Sequence, residues 1–229
     1  MIKGFGDFKI STPGEISEYY RTKSISQLSL EELANIHLDI NSGWQCLENG
    51  NISSNIYDLN ETVAAGFNNN RTKQYVPLLA CFSILDQIGS AYERTDQTSA
   101  YGNGIKKALD LYSNFKLNQD LEFLVTLRHG LFHDGSLTYI NKSTGTKVFF
   151  RMIMGSGKLL TPSIKPWDGV YYDDLSDYIT YIDLKELHVK TKEVITECRR
   201  LLLNGKIRIM VTAPRELFYK YLFVVKSGC

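Results

Sequence analysis

The chain has 229 residues, 43% of them hydrophobic and 22% charged, the composition of an ordinary globular domain rather than a disordered one. Its formal net charge of +1 gives no global basic field, so a polyanion would have to be held by a local patch. Apolar runs such as 76–82 are too short to span a bilayer, and residues 1–7 lack the apolar core of a secretory signal. Cys46, Cys81, Cys198 and Cys229 form no CxxC pair, so the expectation is reduced thiols in a cytoplasmic protein.

Residues 1–28 carry little periodicity and several turn formers; they read as an N-terminal arm with one short strand near 5–10. A first helix opens at Ser29, with Glu32 completing a capping box, and runs on Leu30, Leu33, Ile36, His37 and Ile40 to about Leu47. Asn49-Gly50-Asn51 stops it, and the Asn- and Ser-rich stretch 51–72 reads as loop. The second helix spans 75–92, with Pro77 in its first turn. It is apolar around most of its circumference, which marks it as central, and Asp86 interrupts it between Leu79 and Phe82. Residues 93–103 read as loop, 104–115 as a shorter helix, and 119–132 as a further helix capped by Asn118.

After Asp134 the period changes from near 3.6 to near 2. Segments 136–140 and 147–153 are β-prone around the turn residues 141–145, a hairpin signal. Segment 155–177 reads as loop with short extended pieces, and 178–182 as another strand. A last helix opens at Asp183 and runs over 184–203, with Arg199 and Arg200 in its final turn and Asn204-Gly205 closing it. A short strand at 207–211 follows, and Pro214 breaks the chain before a Tyr/Phe-rich tail. The expectation is one mainly α domain. Its helical core is 29–135 and its C-terminal helix and tail are 183–229, with a β-rich insertion at 136–182.

The motif helix holds the candidate chemistry in Leu127-Arg128-His129-Gly130-Leu131-Phe132-His133-Asp134-Gly135. At about 100° per residue from Leu121, Leu124, Val125, Leu127, Leu131 and Phe132 form the apolar stripe, and Arg128 falls inside it near about 340°. Glu122, Thr126, His129 and His133 share a flank between about 80° and 140°. An arginine on a buried face requires a partner, a route to solvent or an interface.

An arginine, a polar residue, three more residues and a histidine at the end of a helix, after a very apolar helix at 78–86, resemble the HEPN superfamily (higher eukaryotes and prokaryotes nucleotide-binding). The resemblance spans about 29–203 as an architecture, an antiparallel helical bundle, and is specific at Arg128 to His133. It implies a metal-independent endoribonuclease that needs no cofactor and acts as a homodimer with the two motifs meeting across the interface. Such enzymes occur in toxin and phage-defence systems, with an antitoxin or regulatory protein as partner. Carried over, His133 is the acid/base, Arg128 the phosphate binder and His129 the polar residue after the arginine, with Asp86 and Asp134 in support. The chemistry suits these types, since RNA supplies its own 2′-hydroxyl nucleophile. A histidine titrates near neutrality, and a guanidinium can pair with phosphoryl oxygens.

The same residues allow other readings. Arg128 can simply pair with Asp86, and His133 can cap a helix end. His129 and His133, four apart, can share a metal. A non-catalytic nucleotide- or protein-binding module is the competing function. Gly155-Ser156-Gly157-Lys158 lacks the earlier glycine and the following helix of a phosphate-binding loop. Trp167, Tyr171, Tyr172, Tyr178 and Tyr181 suit packing or base stacking, and Lys142, Lys147, Arg151 and Lys158 suit a solvated face or a phosphate rim.

Overall fold

The structure, a computed structural model, describes residues 2–115 and 118–225; Cys229 lies outside the described residues. Boxed caps open the first two α-helices. α1 (Pro13–Arg21) opens on Thr12, which accepts from the Glu15 amide while Glu15 reaches back to the Thr12 amide. α2 (Leu30–His37) is capped likewise by Ser29 and Glu32. The expected N-terminal arm is therefore largely helical. Residues Phe5–Ile10 form a 3-10 turn instead of the expected strand, because one aromatic alone, Phe8, is buried there, edge-on to Tyr19 and Tyr20.

The helix expected to reach Leu47 ends at His37. Just beyond it Asp39 takes a bidentate pair from Arg199 at 3.0 and 3.2 Å, and the chain folds back as a hairpin, β1 (Gln45–Leu47) and β2 (Gly50–Ser54). The expected loop at 51–72 holds β2 and a full helix, α3 (Asn55–Phe67), whose buried stripe includes Ile56, Asn60 and Val63. Ser54 accepts from the Ile56 amide and donates to the His37 carbonyl at 2.6 Å, joining the end of α2 to the start of α3.

Then follow α4 (Tyr75–Ala91), β3 (Tyr92–Arg94), α5 (Gly104–Tyr112), α6 (Asn118–His129) and a π turn (Gly130–Asp134). The second half contains β4 (Thr138–Ile140), β5 (Lys147–Ile153), β6 (Leu160–Thr161), β7 (Thr180–Asp183), α7 (Leu184–Leu203), β8 (Ile207–Ile209), α8 (Pro214–Tyr221) and β9 (Leu222–Val225). The hairpin expected from 136–153 is present as β4 and β5. Pro214 starts a helix rather than ending order, and β9 pairs antiparallel with β2.

About 51% of the chain is helical and 15% is strand, in three sheets among the described residues. This mixed α/β fold corrects the expected mainly α, HEPN-like bundle. The sheets run β1-β2-β9, β3-β8 and β4-β5-β7-β6, with β5 and β7 parallel and the other pairs antiparallel. Most of these strands are short and find partners far away in sequence, so local periodicity carried little of them. No helix among the described residues is long and apolar enough to cross a membrane.

One core unites the elements. α4 lies at its centre, against α3, α5 and α7. Backbone meets backbone where α4 meets the start of α5: a Cβ on Gly89 would fall 1.8 Å from the Gly104 carbonyl oxygen. Alanine normally improves a helix interior by about 1 kcal/mol over glycine. Here the overlap is with main chain and cannot be relieved by a side-chain rotation. Gly89→Ala is therefore expected to destabilise the fold by about 1–3 kcal/mol, read as a lower urea midpoint; an unchanged or higher midpoint would refute the contact.

His37 is fully buried. Its Nε2 donates to Gln87 Oε1 at 3.4 Å, so Nδ1 accepts from the Tyr92 hydroxyl at 2.6 Å, and the ring stacks on Tyr221 at 4.8 Å. Burial lowers its pKa to about 4, against hydrogen bonds that work the other way. The unfolded chain therefore binds this proton more readily than the folded one. Stability is complete above the ordinary histidine pKa of about 6.5 and falls as pH drops towards 4, by on the order of 3 kcal/mol. Denaturation at pH 7 and 4.5 should show a clearly steeper loss in the wild type than in His37→Gln. Parallel losses would assign the effect to other groups.

Candidate functional site

α6 does not continue to Phe132 as an α-helix; it widens into the π turn after His129. Such one-turn expansions are costly and recur at functional positions. Gly130 permits this one. A Cβ there would lie 2.9 Å from both the Ser136 carbonyl oxygen and Tyr139 Cβ, so only glycine lets β4 come this close. The Ser136 amide donates back to the Gly130 carbonyl at 3.0 Å, and Gly135, at φ 63°, ends the turn in the left-handed region.

The widened turn gathers the motif side chains. His129 and His133 stack with centroids 5.6 Å apart and planes 9° from parallel. Tyr139 of β4 lies against the His129 ring at 6.3 Å and 28°. His133 is exposed and His129 is partly buried. Burial first, then the Arg128 charge and His133, hold the His129 pKa below the ordinary histidine value; Asp86 and Glu122 pull weakly the other way.

Arg128 meets Asp86 across the α4–α6 contact. Its Nε and Nη2 both approach Asp86 Oδ2, at 3.1 and 3.0 Å, and its guanidinium lies 5.0 Å from the centre of the Phe132 ring. Nη1 makes no hydrogen bond among the described residues. The charge on the apolar stripe is thus balanced within the chain. Asp86 is in turn held against α5: a Cβ on Gly104 would fall 2.9 Å from Asp86 Oδ1. Glu122, one helical flank away, pairs with Lys106 of α5. Asp134, next to His133 at the end of the same turn, is exposed and makes no ion pair among the described residues.

Stacked rings carry their lone pairs in two parallel planes, which do not converge on one ion. No group of three or more His, Cys, Asp or Glu side chains suited to a metal occurs among the described residues. The remaining histidines lie elsewhere, His37 in the core and His188 against Asn60 at 3.0 Å. The Ser156 amide of the Gly155–Lys158 loop donates to the Asp183 carboxylate, so this loop offers no cradle for phosphate. Trp167 is buried between Phe149 and Tyr171. Lys147 donates to the Asp168 carbonyl and Arg151 covers Phe149 at 4.5 Å. Both basic residues are thus occupied within the chain. Sequence reasoning missed Tyr139, whose signal was its place three residues after the turn glycine-serine pair, and Phe132 as a seat for the guanidinium.

The ion pair and the π turn should differ in what they hold. Arg128 and Asp86 are each about a quarter exposed, 26% and 27%, so Asp86→Asn should cost under about 1 kcal/mol of stability. Gly130→Ala, which strikes backbone, should cost about 1–3 kcal/mol and shift the ring resonances of both His129 and His133 in NMR spectra. Equal melting temperatures for the two variants would contradict this ranking.

Compared with protein-family models, with characterised proteins and with solved structures, the chain matches none. The HEPN resemblance therefore has only the sequence motif Arg128 to His133 behind it.

Proposed function

We propose that the chain is a metal-independent endoribonuclease that cleaves RNA by transesterification through the 2′-hydroxyl, with His133 as acid/base and Arg128 as phosphate ligand. The observation that carries this reading is the π turn. It carries an exposed imidazole, His133, five residues after an arginine whose Nε and Nη2 are held by Asp86 and whose Nη1 makes no hydrogen bond among the described residues, where no metal-holding group of His, Cys, Asp or Glu occurs either. Asp86 fixes the guanidinium by one carboxylate oxygen and leaves one edge for a phosphoryl oxygen. With a near-neutral protein overall, affinity for RNA comes from this patch rather than from a long-range field. A homodimer, a cytoplasmic setting and a toxin or defence role with a regulatory partner belong to the same proposal, as the resemblance implies.

The closed Arg128–Asp86 pair favours one other reading, a non-catalytic module that binds a nucleotide or a protein. Cleavage of RNA by purified protein separates the two. Activity should persist in EDTA and leave a 2′,3′-cyclic phosphate. His133→Ala should lower it by roughly 10²–10⁴-fold and Arg128→Ala by roughly 10²–10³-fold, both variants keeping their circular dichroism spectra. Full activity in His133→Ala, or activity abolished by EDTA, would overturn the mechanism. A wild type that cuts no RNA would favour the binding module.

A further inference from the structure

We infer that His129 is the second proton carrier of this site, so that one chain holds a complete general base and general acid, His129 accepting the 2′-hydroxyl proton and His133 donating to the leaving oxygen. The inference rests on the ribonuclease reading above and goes beyond it. There His129 is only the polar residue after the arginine, and a second subunit completes the site.

The geometry motivates the pairing. Two imidazoles with centroids 5.6 Å apart are held at one turn, one partly buried and one exposed. Two titratable groups kept side by side in unlike surroundings are the arrangement that separates acid from base. The His129 ring lies against two other rings, His133 and Tyr139. The charged groups around it are Arg128 on its own helix, Asp86 from α4, and Glu122, which is neutralised by Lys106 of α5; Tyr139 faces it from β4. Burial, Arg128 and His133 together favour its neutral form, the form a base requires. His133 stands in solvent, where it can reach the leaving oxygen.

The step balances without a co-reactant. The 2′-oxygen gives its proton to His129 and forms a bond to phosphorus, while Arg128 bears the charge on the phosphoryl oxygens. The bond from phosphorus to the 5′-oxygen breaks, and His133 gives that oxygen its proton. The products are a 2′,3′-cyclic phosphate and a 5′-hydroxyl.

The test compares a single-stranded RNA oligomer with uridine 3′-(p-nitrophenyl phosphate), whose nitrophenolate leaves without being protonated. His133→Ala should be slowed roughly 10²–10⁴-fold on RNA yet remain within about tenfold of wild type on the activated ester. His129→Ala should be slowed by roughly 10²–10⁴-fold on both, with kcat falling more than KM rises. Wild-type kcat/KM should fall at low pH as His129 takes up a proton, and the acidic limb should vanish in His129→Ala. His129→Asn, which keeps the size and a hydrogen-bond donor, should not restore activity. Wild-type rates in His129→Ala, rescue by asparagine, or equal losses of both alanine variants on the activated ester would each overturn the pairing. A wild type inactive on both substrates would instead overturn the ribonuclease reading itself.

Discussion

The site depends on the approach of α4 to α5 at Gly89 and Gly104. With no Cβ on either side, the end of α4 lies directly on the first turn of α5, and Asp86, one turn earlier on α4, is held against that turn. α6 then packs on α5, with Lys106 and Glu122 paired across the contact. These constraints place Arg128 within reach of Asp86. A larger residue at either glycine would displace the carboxylate that fixes the arginine before it touched the arginine itself.

Arg128 shows why an ion pair can matter without adding much stability. At about a quarter exposure, a pair of this kind contributes roughly 0–1 kcal/mol. What the carboxylate supplies is direction. Nε and Nη2 are committed to one oxygen and Phe132 lies under the guanidinium, so the plane and the remaining edge of the group are set within the chain. From the sequence, an arginine on an apolar stripe called for a partner, a route to solvent or an interface, and of these the pairing with Asp86 of α4 is present within the chain.

Much of the local structure was legible. α4 declared itself by a run of apolar residues with few interruptions, α2 by its capping box, and the β4–β5 hairpin by its alternation and turn residues. The nearness of His129 to His133 followed from their spacing of four. Other signals were present but overlooked. Thr12, Pro13 and Glu15 spell a helix start, Asn41-Ser42-Gly43 spells a stop, and Ile56, Asn60 and Val63 recur at helical spacing with a polar residue in the middle. The β2–β9 and β3–β8 pairings were beyond local reading, because three- to five-residue strands acquire their identity from partners distant in the chain. The π turn was equally hidden, since a fixed angle per residue assumes the geometry that Gly130 abandons.

That hidden turn changes how the β-rich segment is understood. Read from periodicity, 136–182 was an insertion set upon a helical core. In the fold it forms a wall of the candidate site. Ser136 bonds to Gly130, Tyr139 lies on His129, and β5 runs parallel to β7, which passes directly into α7 through Asp183. Asp183 accepts from the Lys185 and Glu186 amides as cap of α7 and also from the Ser156 amide of the loop after β5. The hairpin is thereby tied at one end to the motif turn and at the other to a core helix. It cannot shift against α6 without breaking one of these ties. The spacing of the two imidazoles is therefore a property of the whole mixed fold, which is why six residues of motif are insufficient to define the site.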